Sequence, residues 1–210
     1  MYKTIRSEIS AEITEKKSKF IANVFHISSV EEAEEILKKT RKKYNDARHS
    51  CYAYRILKDS EIIYKSSDDG EPSGTAGAPM LNILEKEGII NVLAIVTRYF
   101  GGILLGTGGL VKAYSCSLQE ALSKAEYVEE QEGYEIEIQI EYKGLNNFKY
   151  FCEKSGIEIA DIKYNDNIKC IIEVNEEEKQ KILSDEEIKN LKIIEYKTIR
   201  KKYIQKNVEK

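Results

Sequence analysis

The chain has 210 residues, 41% of them hydrophobic and 33% charged, and a formal net charge of −3. That balance is too apolar for disorder and too acidic for a uniformly basic nucleic-acid binder, and two prolines exclude long proline-rich linkers. The apolar run "IINVLAIV" is too short to span a bilayer and "MYKTIRSEIS" lacks an apolar signal core, so a cytoplasmic protein with no membrane contact is expected.

The length suits one large domain or two smaller ones, since domains usually run to about 100–150 residues. "KFIANVFHI" reads as a strand, and "SVEEAEEILKKTRKK" as a helix with Ser29 and Glu32 at capping-box spacing and Val30, Ala33, Ile36 and Leu37 on one face. Strands at "HSCYAYRIL" and "EIIYK" lead into "SSDDGEPSGTAGAPM", Ser66 to Met80, which holds both prolines and three carboxylates. A helix over Thr75 to Lys86 follows, then a strand "INVLAIVTRY", a glycine-rich loop "FGGILLGTGG" and a helix "LVKAYSCSLQEALSKA". This half, residues 1–130, is α+β.

In "YEIEIQIEY" apolar residues from Tyr134 to Tyr142 alternate strictly with acids and Gln139, the mark of a strand with one buried face. A short helix (Leu145, Phe148, Phe151, Cys152), strands at "IEIADIKY" and Ile168 to Val174, a helix "NEEEKQKILSDEEIKNL" and a strand "KIIEYKTI" complete the order βαββαβ. That order is the ferredoxin-like split motif, assigned to residues 134–207.

Charge is unevenly spread. Between Ile36 and Lys58 eight basic residues, among them Arg41, Lys42, Lys43 and Arg48, face one acid, Asp46; from Tyr196 to Val208 there are five basic residues and no acid. Cys51, Cys116, Cys152 and Cys170 show no C-x-x-C spacing, so neither a zinc knuckle nor a disulfide framework is indicated.

Eight of the twelve glycines fall in two windows, Gly70 to Gly77 and Gly101 to Gly109, each joining a strand to a helix. In the first, Asp69-Gly70 is a turn signal, and Ser73 or Thr75 is placed to cap the helix that accommodates Pro79 near its start. Asp68, Asp69 and Glu71 repel one another unless solvated or bound to a cation, and magnesium takes such oxygen ligands; turn and cap is the default reading, magnesium the alternative. In the second window, a glycine-rich turn entering a helix exposes N–H groups at the positive end of the dipole. Thr107 is the expected N-cap, with Gly106, Gly108 and Gly109 around it and Lys112 about one turn in, where an anion would offset its charge. Arg98 at the end of the preceding strand could add a second cation. The bland alternative is tight backbone packing with Lys112 in solvent. No Walker A or dinucleotide fingerprint is present. His49 and Cys51 share a strand face, and a packed pair there outweighs a catalytic one. Tyr44, Tyr52, Tyr54 and Tyr99 lie among basic residues, where they suit base stacking or half-buried strands equally.

At "EKKSKFIANV", "HSCYAYRI", "SDDGEPSGTAGAPML", "VTRYFGG" and "LGTGGLVKAYS" the sequence resembles the YigZ/IMPACT family, in order and spacing, to about residue 128; the remainder resembles the second domain of the bacterial YigZ branch. Where the family pattern has a threonine before the histidine, this chain reads Arg48-His49. The resemblance implies an N-terminal domain of the ribosomal-protein and GHMP-kinase type with a left-handed βαβ crossover. Similarity of both domains to the fourth and fifth domains of elongation factor G implies RNA or ribosome binding. Eukaryotic IMPACT proteins regulate translation through a kinase pathway that uses an RWD domain; none is read here, so a role near translation carries over and that pathway does not.

The leading expectation is therefore a non-enzymatic, RNA- or ribosome-associated protein needing no cofactor. Arg98, Gly106, Thr107, Gly108, Gly109 and Lys112 would hold phosphate, and Arg41, Lys42, Lys43 and Arg48 would supply longer-range attraction. His49, Asp68, Asp69, Gly70, Glu71, Pro72, Ser73, Gly74, Thr75 and Tyr99 would line the motif cleft. An enzyme acting on a phosphorylated small molecule, with magnesium on Asp68, Asp69 and Glu71, is one alternative; a protein-binding regulatory module is another.

Overall fold

The computed structural model describes residues 1–58 and 61–207, with no description of the side chains of residues 206 and 207. Val208, the end of the second basic run, lies outside the described residues. The chain divides into two compact units, residues 2–129 and 130–206, and is α+β throughout.

The first unit opens with β1 (Tyr2–Ile5), β2 (Ile9–Glu15) and β3 (Ser18–His26), followed by α1 (Val30–Lys43), β4 (His49–Lys58), β5 (Glu61–Ser67), α2 (Gly77–Lys86), β6 (Val92–Tyr99) and α3 (Gly106–Leu122). A five-stranded sheet runs in the order β2-β3-β6-β4-β5, every neighbouring pair antiparallel. Strands β3 and β4 thus run parallel with β6 between them, joined by the crossover through α1. Central β6 is covered on both faces, which is why it reads as an unbroken apolar run. Its Leu93 and Ile95 pack with Ala33 of α1 and Tyr54 and Ile56 of β4. Its Val92, Ala94 and Val96 pack with Met80 and Leu84 of α2 and Leu110, Tyr114 and Leu118 of α3. The sheet therefore has an α1 face and an α2/α3 face.

The second unit is carried by β7 (Tyr127–Ile140), α4 (Leu145–Lys154), β8 (Glu158–Tyr164), β9 (Ile168–Val174), α5 (Glu176–Ile182), α6 (Asp185–Asn190) and β10 (Ile193–Asn207). Its strands pair in the order β10-β7-β9-β8, with β9 antiparallel to both neighbours. Ile136, Ile138 and Ile140 of β7, Ile168, Cys170 and Ile172 of β9, and Phe148 and Cys152 of α4 are its buried centre. The outward residues of the same strands form cross-strand ion pairs, Lys169–Glu137, Arg200–Glu135 and Lys202–Glu173.

Four local expectations are corrected. The acidic segment is two helices, because Ser184 accepts the Glu187 N–H at 3.3 Å and starts a second one. Helix α3 begins at Gly106, with Leu105 rather than Thr107 at the N-cap position and no side-chain cap. Neither Ser73 nor Thr75 caps α2, whose N-cap position is Ala76. At α1, Ser29 accepts the Glu32 N–H as expected, but Glu32 returns to the Ser28 N–H at 2.8 Å.

Candidate functional site

Four residues, Asp68 to Glu71, organise the α2/α3 side of the first unit. Asp69 (φ 43°) and Gly70 (φ 86°) both occupy the left-handed region, and the Glu71 N–H donates to the Asp68 carbonyl at 2.9 Å. Two positive φ values and an i to i+3 bond define a type I′ turn, the turn that Asp-Gly favours.

Each carboxylate of the turn meets different donors. Asp68 accepts from the backbone N–H groups of Gly74, Ala76 and Gly77 at 2.8–2.9 Å, so it caps α2 from outside the helix. Burial opposes its ionisation, but those three donors outweigh it and hold the carboxyl below its ordinary range. Asp69 accepts from Arg41 Nη2 at 2.5 Å and from the Ser50 N–H at 2.7 Å. Glu71 accepts from Arg98 Nη1 at 2.7 Å and the Tyr114 hydroxyl at 2.8 Å through one oxygen. Among the described residues no group of three or more His, Cys, Asp or Glu side chains is placed to hold a metal ion. The magnesium alternative needed these three acids to converge, and they diverge.

Strand register explains the company Arg98 keeps. Phe20 of β3 and His49 of β4 pair directly with Arg98 across β6, so the three form one row on the α2/α3 face. The Arg98 guanidinium lies 5.5 Å from the Phe20 ring centre and 5.6 Å from that of Phe100, and its Nη2 donates to Ser18 Oγ at 3.4 Å. Arg98 stands at the end of its strand as expected, but it is 6% exposed, and its charge is met by Glu71 rather than offered to an outside phosphate.

Beside it, His49 Nδ1 lies 2.9 Å from the Asp69 carbonyl, which only accepts; Nδ1 therefore carries a proton. The Cys51 thiol donates to the Asp68 carbonyl, and burial pushes it up to about 12. A thiol so placed stays protonated at neutral pH, and His49 and Cys51 bond separately to the carbonyls of Asp69 and Asp68. Tyr114 is pushed upward by burial and then by its neighbours Cys51 and Glu71, so its hydroxyl stays a donor.

The rest of the motif frames this centre. Pro72, Ser73 and Gly74 are exposed, while Thr75 is buried and donates through Oγ1 to the Pro72 carbonyl at 2.6 Å. Gly77 passes so close to β5 that a Cβ would stand 2.7 Å from the Ser67 nitrogen. Tyr99 donates to Asp46 at 2.7 Å, and that bond pushes its hydroxyl up to about 12, tying the end of β6 to the connection between α1 and β4.

The second glycine window lies at the start of α3. Gly106, Thr107 and Gly108 are exposed in its first turn, which contains no acid. Gly101 touches the β2–β3 hairpin, where a Cβ would fall 1.9 Å from the Lys17 carbonyl carbon, and its N–H donates to Ser18 Oγ at 3.1 Å. Lys112 is exposed and, with Lys16, Gly109 and Cys116, lines a cavity of about 70 Å³. Of the basic cluster, Lys42, Lys43 and Arg48 are exposed, Arg41 is bound to Asp69, and Arg55 donates to the carbonyls of Leu84 and Ile89. In the second basic run Arg200, Lys201 and Lys202 each meet a glutamate.

Sequence reasoning missed Tyr114, Ser18 and Phe20 as members of the centre. All three lie inside the quoted stretches "LVKAYS" and "KSKFIANV", so position within a motif was the available signal.

The model of the Impact N-terminal domain matches residues 16–122, and that of a domain of unknown function, DUF1949, matches residues 138–185. The chain is 37% identical to IMPACT family member YvyE of Bacillus subtilis strain 168, over 84% of this chain and 81% of that protein. It is 42% identical to IMPACT family member YigZ of Escherichia coli K12, over 64% of this chain and 66% of that protein. A crystal structure of a hypothetical protein is similar over 99% of this chain and 97% of its own, with 30% identity and a TM-score of 0.62.

Proposed function

The chain belongs to the IMPACT family in its bacterial two-domain form, and from that membership we propose that it acts near translation as a non-enzymatic, ribosome- or RNA-associated protein. The resemblance that links the family to translation control carries over here as this reading. The β10-β7-β9-β8 order of the second unit supports a ferredoxin-like assignment, and the split β3-α1-β4 crossover supports the ribosomal-protein and GHMP-kinase type for the first.

One observation carries the contact site. Helix α3, seventeen residues long, starts with an exposed Gly106-Thr107-Gly108, no side-chain cap and no acid in its first turn, and Lys16 of the β2–β3 turn and Lys112 of α3 line the cavity beside it, where Glu15 is the one acid. Backbone N–H groups at the positive end of a helix, flanked by flexible cations, suit a phosphate of an RNA backbone. Lys42, Lys43 and Arg48 add attraction at longer range. Arg98 takes a different part: with Glu71 and Tyr114 it ties the Asp68–Glu71 turn to β6 and α3.

Co-sedimentation with ribosomes and with free RNA at low and moderate salt tests the reading. Wild-type protein is expected to pellet at low salt and to be released as salt rises, since each neutralised phosphate contributes to the salt slope. Lys16→Glu with Lys112→Glu is expected to abolish pelleting. No pelleting at low salt, or pelleting unchanged in the double variant, overturns it.

A further inference from the structure

A groove lies on the α1 face of the first unit, the face opposite the Arg98–Glu71 pair. It has a volume of about 340 Å³, the size range of small-ligand sites. Its apolar lining is Ala33 and Leu37 of α1 and Leu93 of β6, and its wall is Tyr52 and Tyr54, whose rings lie 6.4 Å apart and 13° from parallel. Both tyrosines project from one face of β4, two residues apart, and Tyr54 pairs directly with Lys65 of β5. Lys38 and Arg41, one turn apart on α1, complete the rim, where the one acid is Glu34. Lys38 and Lys65 are exposed and have no ion-pair partner among the described residues. Tyr54 is 5% exposed, and no side chain hydrogen-bonds its hydroxyl among the described residues.

We propose that this groove is a nucleotide site that stacks a planar base on the half-buried Tyr52, whose ring is backed by the buried Tyr54, and holds its phosphates between Lys38, Arg41 and Lys65. Aromatic wall and cationic rim together select a ligand that is at once flat, heteroaromatic and anionic. Glu34 is the acceptor for a ribose hydroxyl or a base amine. Arg41 links the groove to the turn, because the guanidinium that would meet phosphate is the one that pairs with Asp69. The ligand chemistry is shared by a free nucleoside diphosphate and by a nucleotide unit of single-stranded RNA. The site shares no residue with the α3 terminus, so it stands or falls apart from the ribosome reading.

Titration of the full chain with a fluorescent N-methylanthraniloyl derivative of ADP, followed by competition, tests it. Saturable binding is expected, displaced by unlabelled ADP or by hexauridylate; displacement by ADP alone identifies the free nucleotide, and preferential displacement by hexauridylate identifies an RNA unit. Tyr52→Leu is expected to weaken binding by about fivefold or more, the lower end of base–aromatic stacking. Lys65→Glu, a change at an exposed position, is expected to weaken it as well, while Lys112→Glu leaves it unchanged and impairs ribosome pelleting instead. The proposal is overturned if the probe does not bind at about 1 mM, if pyrophosphate competes as well as ADP, or if both groove variants bind like wild type.

Discussion

The Arg98 guanidinium and the Glu71 carboxylate meet at 2.7 Å with side chains 7% and 4% exposed. The glutamate oxygen that takes this bond also takes the Tyr114 hydroxyl, so one atom joins the Asp68–Glu71 turn to β6 and α3. Removing one partner leaves the other charge buried and unpaired, which costs far more than the pair itself contributes. Glu71→Ala is therefore expected to destabilise the protein by about 3–5 kcal/mol in urea unfolding. The double replacement Arg98→Met, Glu71→Leu is expected to recover much of that loss, because no stranded charge remains. A double variant no more stable than Glu71→Ala would show that the pair does more than cancel charge.

Asp68 is tied to pH. Its folded-state carboxyl is held below the ordinary value by the Gly74, Ala76 and Gly77 N–H groups, against the opposing pull of burial. A depressed folded pKa gives stability that is present above the unfolded value and is lost as pH falls through the folded one. Asp68→Asn is therefore expected to be less stable than wild type at neutral pH, with the gap narrowing as pH falls through the ordinary carboxylate range and below it. Asp68→Ala, which strands the helix donors, is expected to cost about 0.5–2 kcal/mol at neutral pH. Thermal melts across that pH range read both.

What was legible in the sequence was periodicity and local chemistry. The alternation from Tyr134 to Tyr142, the apolar run of β6 and the Asp69-Gly70 turn each express one dominant local rule; the last two stand where expected, and the first is a strand that starts earlier, at Tyr127, and ends at Ile140, before the 3-10 turn at Tyr142. Strand β2 was overlooked although Ile9, Ala11 and Ile13 alternate with Ser10, Glu12 and Thr14. The contents of the centre were less accessible, because they depend on register. Nothing local to Arg98 says that Phe20 and His49 will flank it or that Glu71, 27 residues earlier, will neutralise it. Likewise, the cap of α2 comes from Asp68 across an eight-residue loop, where the usual signal looks only one position before the helix.

The glycines of the two windows separate into kinds. Gly101 has no room: a Cβ would fall 1.9 Å from the Lys17 carbonyl carbon, and backbone on both sides has to move. Gly74 has open space but a φ of 76°, so a side chain there meets only left-handed strain, about 1–2 kcal/mol. Gly101→Ala is expected to lower stability by more than Gly74→Ala and to disturb the β2–β3 hairpin. Hydrogen exchange at β2 and β3 distinguishes a displaced hairpin from a uniform loss of stability.

Thiol chemistry reports on the α3 surface. Of the four free cysteines Cys116 is exposed, while Cys51, Cys152 and Cys170 are buried and burial raises their thiols to about 12, 12 and 11. One equivalent is therefore expected to react rapidly with a disulfide reagent near pH 8, and the other three only after unfolding, since the thiolate is the reactive form. Cys116 lines the same small cavity as Lys16 and Lys112. If the start of α3 is where the ribosome docks, saturating ribosomes will slow modification of Cys116 in wild-type protein and leave its rate unchanged in the Lys16→Glu, Lys112→Glu variant. Cys116 that reacts equally fast in the pelleted complex places the ribosome contact elsewhere on the chain.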